Sequence, residues 1–234
     1  LMQRYSIFSL IKKAFSNHEK WDLAWKDPSP KKEYDVVIIG GGGHGLATAY
    51  YLAKEHKITN VAIIEKGWIG GGNIGRNTTI IRSNFMYDDN ARFNEFGMNL
   101  WRNMSQELNF NLMFSPRGII NLAHSDAQMN TYARRGNSLR LNGIDAVLLN
   151  REEVKKIIPM ADFSEDVRYP IFGGLAQPSA GTARHDAVAW GYARQADSMG
   201  VDIIQNALVY LPANLSYKLS SIASSVIANA RATV

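Results

Sequence analysis

Tyr34–Ile39 is mostly apolar and runs straight into four consecutive glycines, which predicts a short buried strand. Leu46–Lys57 follows with Ala47, Ala49, Tyr50 and Ala53 forming a small-residue face at helical spacing. Val61–Glu65 is a second apolar run and predicts a second buried strand. Strand, helix and strand joined by short connections predict a β-α-β unit with neighbouring parallel strands. Residues 67–85 are rich in Gly, Asn and Thr and read as a loop. Residues 90–107 predict a helix whose one face carries Phe93, Phe96, Leu100 and Met104. Gly118–Ala123 predicts a strand, and Arg151–Ile158 a short helix with an acidic start, closed by Pro159. Asp186–Met199 predicts a further helix and Val201–Gln205 a strand. No internal repeat is visible.

The two ends differ in pattern from this middle. Tyr5, Phe8, Ile11 and Phe15 recur at helical spacing with Lys12 and Lys13 between them, and Asp27-Pro28-Ser29-Pro30 then breaks any helix. One reading is a membrane-surface or targeting helix. Glu19, Asp22 and Asp27 are wrong for a transit peptide, which favours an arm packed on its own fold or on a partner subunit. Residues 207–234 contain no Gly and no acid, and Lys218 and Arg231 are their only charges. They read as a helix or strand of unusual composition, or as sequence out of frame after a truncation.

Composition narrows the chemistry. The chain has 234 residues, 46% of them hydrophobic and 20% charged, which is a globular balance. Without cysteine there is no disulfide framework, thiolate nucleophile or zinc–cysteine site, and a cytoplasmic location fits. Apolar runs such as Val36–Ile39 fall far short of the roughly 20 residues that span a bilayer. The net charge of +5 does not suggest a nucleic-acid binder. Residues 1–33 hold seven basic and four acidic side chains, so no concentrated basic face remains in the rest of the chain.

Gly40-Gly41-Gly42-Gly43-His44-Gly45 matches G-x-G-x-x-G, after a predicted strand and at the opening of a predicted helix. Gly40 permits the tight turn, Gly42 removes a Cβ that would block a pyrophosphate, and Gly45 lets helix and strand pack closely. The helix start offers N–H groups and partial positive charge to phosphates. Glu65 ends the second strand, 25 positions after Gly40, where a carboxylate accepts hydrogen bonds from both ribose hydroxyls of an adenosine. It would repel a 2′-phosphate, so NADP is disfavoured. The alternative is a generic β-α-β turn with a surface Glu. Gly67, Gly70, Gly71, Gly72 and Gly75, with Asn73, Arg76, Asn77, Thr78 and Thr79 close behind, suggest backbone approach to a cofactor longer than NAD, namely FAD. The alternative is a flexible surface loop.

The stretch YDVVIIGGGGHGLATAYYLAKEHKITNVAIIEKGWIGGGNIGRNTTIIRSN resembles the β subunits of heterotetrameric sarcosine oxidases, which belong with the D-amino-acid-oxidase-like FAD proteins. The resemblance continues through FSPRGIINLAHS, LNGIDAVLL and GTARHDAVAWGYARQADSMGVDIIQN, from about Trp21 to Asn206, and fades beyond about Val209. The family chain continues much further, so a truncated or frame-shifted copy with poor flavin binding and little turnover alone is expected.

The resemblance implies non-covalent FAD at Gly42, Gly43, His44, Glu65, Lys66, Asn73, Thr78, Thr79 and Ile81. It implies a strand backbone near the adenine at Val209. His185 matches the histidine to which FMN is covalently attached through the flavin 8α carbon, and Arg184 beside it could stabilise negative charge on that flavin. From the residues alone, His185 is a helix-start or surface histidine. Arg82, in Thr78-Thr79-Ile80-Ile81-Arg82, resembles the arginine that binds the substrate carboxylate in related single-chain amine oxidases. Its alternative is a salt-bridging arginine under the flavin loop.

The implied activity is oxidation of sarcosine to glycine with FAD as hydride acceptor. FMN would pass electrons to oxygen to give hydrogen peroxide, with formaldehyde or a folate-bound one-carbon unit as the other product. The implied partners are α, γ and δ subunits, with NAD and tetrahydrofolate bound on a partner subunit. The expected fold class is α/β, a Rossmann-like FAD domain with part of a second, α+β substrate domain. The expected boundaries are an extension at 1–33, FAD-domain segments at 34–85 and 184–210, a substrate or interface region at 86–183, and a divergent tail at 211–234. An oxidase or dehydrogenase of dimethylglycine, D-amino acids or another secondary amine is the alternative. A non-catalytic remnant or assembly module is another.

Overall fold

A computed structural model describes residues 6–17, 19 and 23–210, with the backbone of 227 and 228. The chain divides into two compact units, Leu1–Asn77 with His185–Val234, and Thr78–Arg184.

The first unit opens with helix α1 (Ile7–Phe15), started by Ser6, whose hydroxyl accepts the Ser9 N–H. The helix forms where the spacing predicts it, but it does not pack on its own fold. No residue of α1 is buried, and Phe8 and Phe15 are 83% and 89% exposed. The extended segment after it is held by polar contacts, Lys26 N–H to Asp197 and Lys31 to Asp202, which bring no apolar surface under the stripe. Tyr5 lies outside the described residues.

The predicted β-α-β unit follows. β1 (Val36–Ile39) pairs in parallel with β2 (Val61–Ile64), Val36 opposite Val61 through Ile39 opposite Ile64, and α2 (Gly43–His56) connects them. β2 also pairs in parallel with β8 (Asp202–Ile204), and the two-residue β9 (Ile227–Ala228) lies antiparallel to β1. Val61, Ala62 and Ile63 are wholly buried, and each Val or Ile so placed contributes about 1.5–3 kcal/mol. That burial lets a four-residue strand hold its place. Helix α6 (His185–Ser198) packs on α2, with the Tyr50 and Tyr192 rings edge-on and 5.5 Å apart.

In the second unit, β3 (Ile80–Ile81) pairs antiparallel with β7 (Gly181–Thr182). α3 (Asp88–Glu107) follows β3. An antiparallel sheet of order β4-β6-β5 is formed by β4 (Ile119–Ala123), β5 (Val147–Asn150) and β6 (Gly173–Gln177). α4 (Asp126–Leu141) and α5 (Arg151–Ile157) complete the unit. α5 opens on a capping box, with Asn150 and Glu153 bonded reciprocally to each other's backbone. Leu139, Ile144, Ala146 and Leu175 form one core cluster, and Leu149, Val154, Ile171 and Ala176 another.

Three expectations need correction. The loop at 67–85 contains a 3-10 turn at Asn73–Arg76 and the strand β3. Helix 88–107 buries Ala91, Met98 and Met104, while Phe93 and Phe96 are 77% and 65% exposed. Phe93 and Phe96 lie roughly 200° round the helix from Ala91 and Met98, the buried residues nearest them in sequence, while Met104 is buried on the predicted stripe. α4, β5 and β6 were not evident from the pattern. Among the described residues no helix is long and apolar enough to cross a membrane. The tail at 211–234 lies outside the described residues apart from the backbone of β9.

Candidate functional site

In the first unit the glycine turn is built on two positions that disfavour a side chain and one that is open. Gly40 sits at φ +105°, and a Cβ on Gly45 would lie 2.0 Å from the Gly40 carbonyl oxygen, so both positions exclude a side chain. A Cβ on Gly42 would meet nothing within 4 Å. Gly42 caps α2 with extended backbone, so the chain enters the helix at Gly43 rather than at Leu46. The first N–H groups of a helix have no acceptor within it, and here they follow the open position. His44 is exposed on this first turn. The motif recurs at Gly70–Gly75, where Gly70 has φ +94° and a Cβ on Gly75 would lie 2.2 Å from the Gly70 carbonyl. Asn73 follows on the 3-10 turn and is exposed, as is Lys66.

Glu65 is held rather than free. Its Oε2 accepts the Gly41 N–H at 2.7 Å and its Oε1 the Gly67 N–H at 2.9 Å. Each carboxylate oxygen has a second lone pair, so the group can still accept from two hydroxyls. The two backbone donors aim it beside the glycine turn. The Glu65 carbonyl accepts the Ala207 N–H at 3.0 Å, which draws the chain after β8 alongside the Glu65–Gly67 corner. Val209 follows in that stretch but not in a strand. Asn206, at φ 54°, turns the chain after β8, and the amides of Asn206 and Ala207 bond to loop carbonyls rather than to a strand.

His185 opens α6 and is partly exposed, yet its Nδ1 is enclosed and has no hydrogen-bond partner. Arg184, exposed, is the last residue of the second unit, and its N–H donates to the Leu112 carbonyl.

The second unit contains a cavity of about 370 Å³ lined by Thr78, Ile80, Ile81, Arg82, Phe85 and the α3 residues Asn94, Gly97 and Trp101. That volume is within the range of small-molecule sites. Asn94, Gly97 and Trp101 recur at three- and four-residue intervals and so share one helix face. A Cβ on Gly97 would meet nothing within 4 Å. Arg82 lies with its guanidinium carbon 4.5 Å from the Phe85 ring centroid and donates to Asn84 Oδ1 at 2.6 Å. It makes no salt bridge among the described residues. Thr79 is held at φ 61°, a left-handed conformation costing on the order of 1–3 kcal/mol, and its carbonyl accepts the Ala183 N–H.

The expected site residues thus form two sets. Gly40, Gly42, Gly43, His44, Gly45, Glu65, Lys66, Asn73, His185 and Val209 belong to the first unit, and Thr78, Thr79, Ile81, Arg82 and Arg184 to the second. The structure joins the glycine turn to Glu65 by a hydrogen bond, and gathers Thr78, Ile81 and Arg82 around one cavity. Sequence reasoning missed Ile80, Phe85, Asn94, Gly97 and Trp101 as lining residues. The one available signal was Gly97, a glycine inside a helical pattern. Among the described residues no group of three or more His, Asp or Glu could hold a metal.

Comparisons with known proteins agree with this geometry. The chain is 59% identical over 206 residues to the sarcosine oxidase subunit beta of Rhizobium meliloti, covering 88% of this chain and 49% of the relative. It is 52% identical to the subunit of the same name from Rhodobacter capsulatus, covering 89% of this chain and 50% of the relative. The chain therefore spans about half the length of these curated relatives. Among solved structures, the L-proline dehydrogenase of P. horikoshii superposes with a TM-score of 0.70 at 29% identity, over 77% of this chain and 46% of that one. The glycine oxidase of Geobacillus kaustophilus, at 22% identity and a TM-score of 0.68 over 77% of this chain and 48% of that one, shares the fold. The model of the FAD-dependent oxidoreductase (DAO) family matches residues 35–213, and the chain belongs to that family.

Proposed function

We propose that this chain is the FAD-carrying, β-type part of a multi-subunit enzyme that oxidises sarcosine to glycine. The observation that carries the reading is the Glu65 carboxylate, fixed by the Gly41 and Gly67 N–H groups beside the open Cβ position of Gly42. The residues present fit a dinucleotide: the first-turn N–H groups of α2 hold the diphosphate, and Glu65 accepts from the adenosine ribose. Lys66, Asn73, Thr78, Thr79 and Ile81 bind along the rest of FAD, and the backbone at Val209 lies beside the adenosine. When bound, FAD supplies a two-electron acceptor and FMN an outlet to oxygen, which the protein itself lacks.

Arg82 binds and orients the substrate carboxylate, because a guanidinium offers two parallel N–H donors. Its freedom from any described carboxylate supports this role over that of a structural ion pair. His185 carries FMN through a ring nitrogen. Its part-exposed ring and partnerless Nδ1 support a histidine kept for a further bond. Arg184 adds positive charge beside it. The 52–59% identity to chains named subunit beta supports a multi-subunit enzyme. In the proposed assembly the partners are α-, γ- and δ-type chains, with NAD and tetrahydrofolate on a partner. Hydrogen peroxide and formaldehyde, or a folate-bound one-carbon unit, complete the products.

The test is the visible spectrum of the purified chain, expressed alone and with its partner subunits, before and after acid precipitation. Bound flavin bleached by anaerobic sarcosine is expected, with part of the colour kept in the pellet on the His185 peptide. Protein free of flavin under both conditions overturns the reading. A supernatant holding all the colour removes the covalent FMN alone. The 29% identity to an L-proline dehydrogenase favours a second reading, oxidation of another secondary amine. Relative turnover of sarcosine, dimethylglycine, proline and D-amino acids separates the two.

A further inference from the structure

We propose that Arg135 is a positioning residue for Arg82, and that the two guanidinium groups act through Asn84 as one receptor for a small carboxylate. The proposal rests on the reading of Arg82 as the carboxylate-binding residue and extends it to residues that do not line the cavity.

The starting point is a buried clamp. Gln177, wholly buried at the end of β6, accepts the Ser83 and Asn84 N–H groups on its Oε1 at 3.0 and 3.1 Å. Its Nε2 donates to Ser83 Oγ at 2.6 Å, and Ser83 Oγ donates to Glu95 Oε2 at 2.6 Å. The turn directly after Arg82 is therefore fixed from three sides.

Asn84, also wholly buried, presents two oxygens from that fixed turn. Its Oδ1 accepts from Arg82 Nη1, and its backbone carbonyl accepts from Arg135 Nη2. A second, longer contact of 3.4 Å runs from Arg82 Nη1 to the same backbone carbonyl. Two cations thus share one neutral residue. Burial, and after it the charge of Arg82, lowers the Arg135 pKa from its ordinary value, and no carboxylate acts against either. On α3, Glu95 is taken up by Ser83 and by Arg102 at 3.8 Å, and Asp88 by Ser138 and Asn142.

The polar groups here are also unbalanced. Asn84 Nδ2 and Arg135 Nε are enclosed N–H donors with no acceptor. Leaving such a donor unpaired costs about 1–3 kcal/mol. Two guanidinium groups and two spare donors around two shared oxygens make an excess of positive charge and of donors. A carboxylate in the cavity offsets one of the two charges, and of the two guanidinium groups only that of Arg82 reaches it. Arg135 holds the backbone of Asn84, whose side-chain oxygen orients Arg82, and adds its own field from behind. The ligand class that follows is a compact carboxylate.

The experiment measures binding of acetate, and of neutral acetamide as control, to the purified full chain by ligand-observed NMR. Arg82→Gln is expected to weaken acetate at least about tenfold, and Arg135→Gln about three- to tenfold, with acetamide unchanged in both. A merely structural Arg135 would move both ligands together, which overturns the proposal. Acetate binding lost in Arg82→Gln but kept in Arg135→Gln overturns it too, and leaves the reading of Arg82 standing. Acetate binding unaffected by Arg82→Gln, or absent from the unaltered chain, overturns that reading and this one with it. Should Arg135→Gln fail to fold, Arg82→Lys, Arg135→Lys and their double variant form a cycle. Coupling of at least about threefold in acetate affinity supports the proposal, and additive effects overturn it.

Discussion

The two units present their chemistry in opposite ways. The first places its chemistry in backbone: a glycine turn, the start of α2 and one carboxylate pinned by two amides. The second places it in side chains around a cavity, where Arg82 is held by a buried network reaching from β6 to α4. A backbone site is written in local sequence, because glycine spacing is the site. A side-chain site needs distant residues brought together, so its parts carry no common signature.

The largest way to break this contrast is Gly45→Val. Its Cβ would lie 2.0 Å from the Gly40 carbonyl, so a loss of about 2–3 kcal/mol and of all bound flavin is expected, read by thermal unfolding and absorbance. Next, Glu65→Gln keeps the size of the group but removes its charge. Flavin affinity is expected to fall about tenfold, and unfolding to cost about 1–3 kcal/mol because the amide nitrogen cannot accept the second of the Gly41 and Gly67 N–H groups, as measured by flavin titration and thermal unfolding. Gly97→Leu sharpens the contrast from the other side. It fills the cavity where open space meets the Gly97 Cβ and improves helix propensity by up to about 1 kcal/mol. Acetate binding should vanish while the melting temperature holds or rises. Asn150→Ala removes the α5 capping box and is expected to cost about 1 kcal/mol in denaturant unfolding. The smallest effect belongs to Phe93→Ser. A core phenylalanine would cost about 3–5 kcal/mol. Phe93 is 77% exposed, and a change within about 0.5 kcal/mol is expected.

Phe93 also shows where reading the pattern stops. Phe93, Phe96, Leu100 and Met104 fit one helical stripe, but of these only Met104 is buried, and α3 otherwise buries Ala91 and Met98. Periodicity finds a helix readily and its buried face less surely, because small and flexible residues make good contacts without standing out. β6 was hidden for a related reason. Its sequence, Gly-Gly-Leu-Ala-Gln, has no alternation, since all five residues are buried between β4 and β5. A Cβ on Gly173 would lie 2.4 Å from the Leu149 carbonyl. The glycines are there for close packing, which only the neighbouring strand reveals.

Read alone, the order of residues already determined the β-α-β unit, the glycine turn and the acid that follows β2. Those depend on φ angles, on missing Cβ atoms and on apolar runs, all of which are local properties. It could not reveal that Gln177, 93 positions from Asn84, clamps the turn behind Arg82, or that Arg135 reaches the same carbonyl. Hydrogen bonds between distant residues leave no period and no spacing. They exist only once the sheet and helices of the second unit have packed and closed that turn away from water.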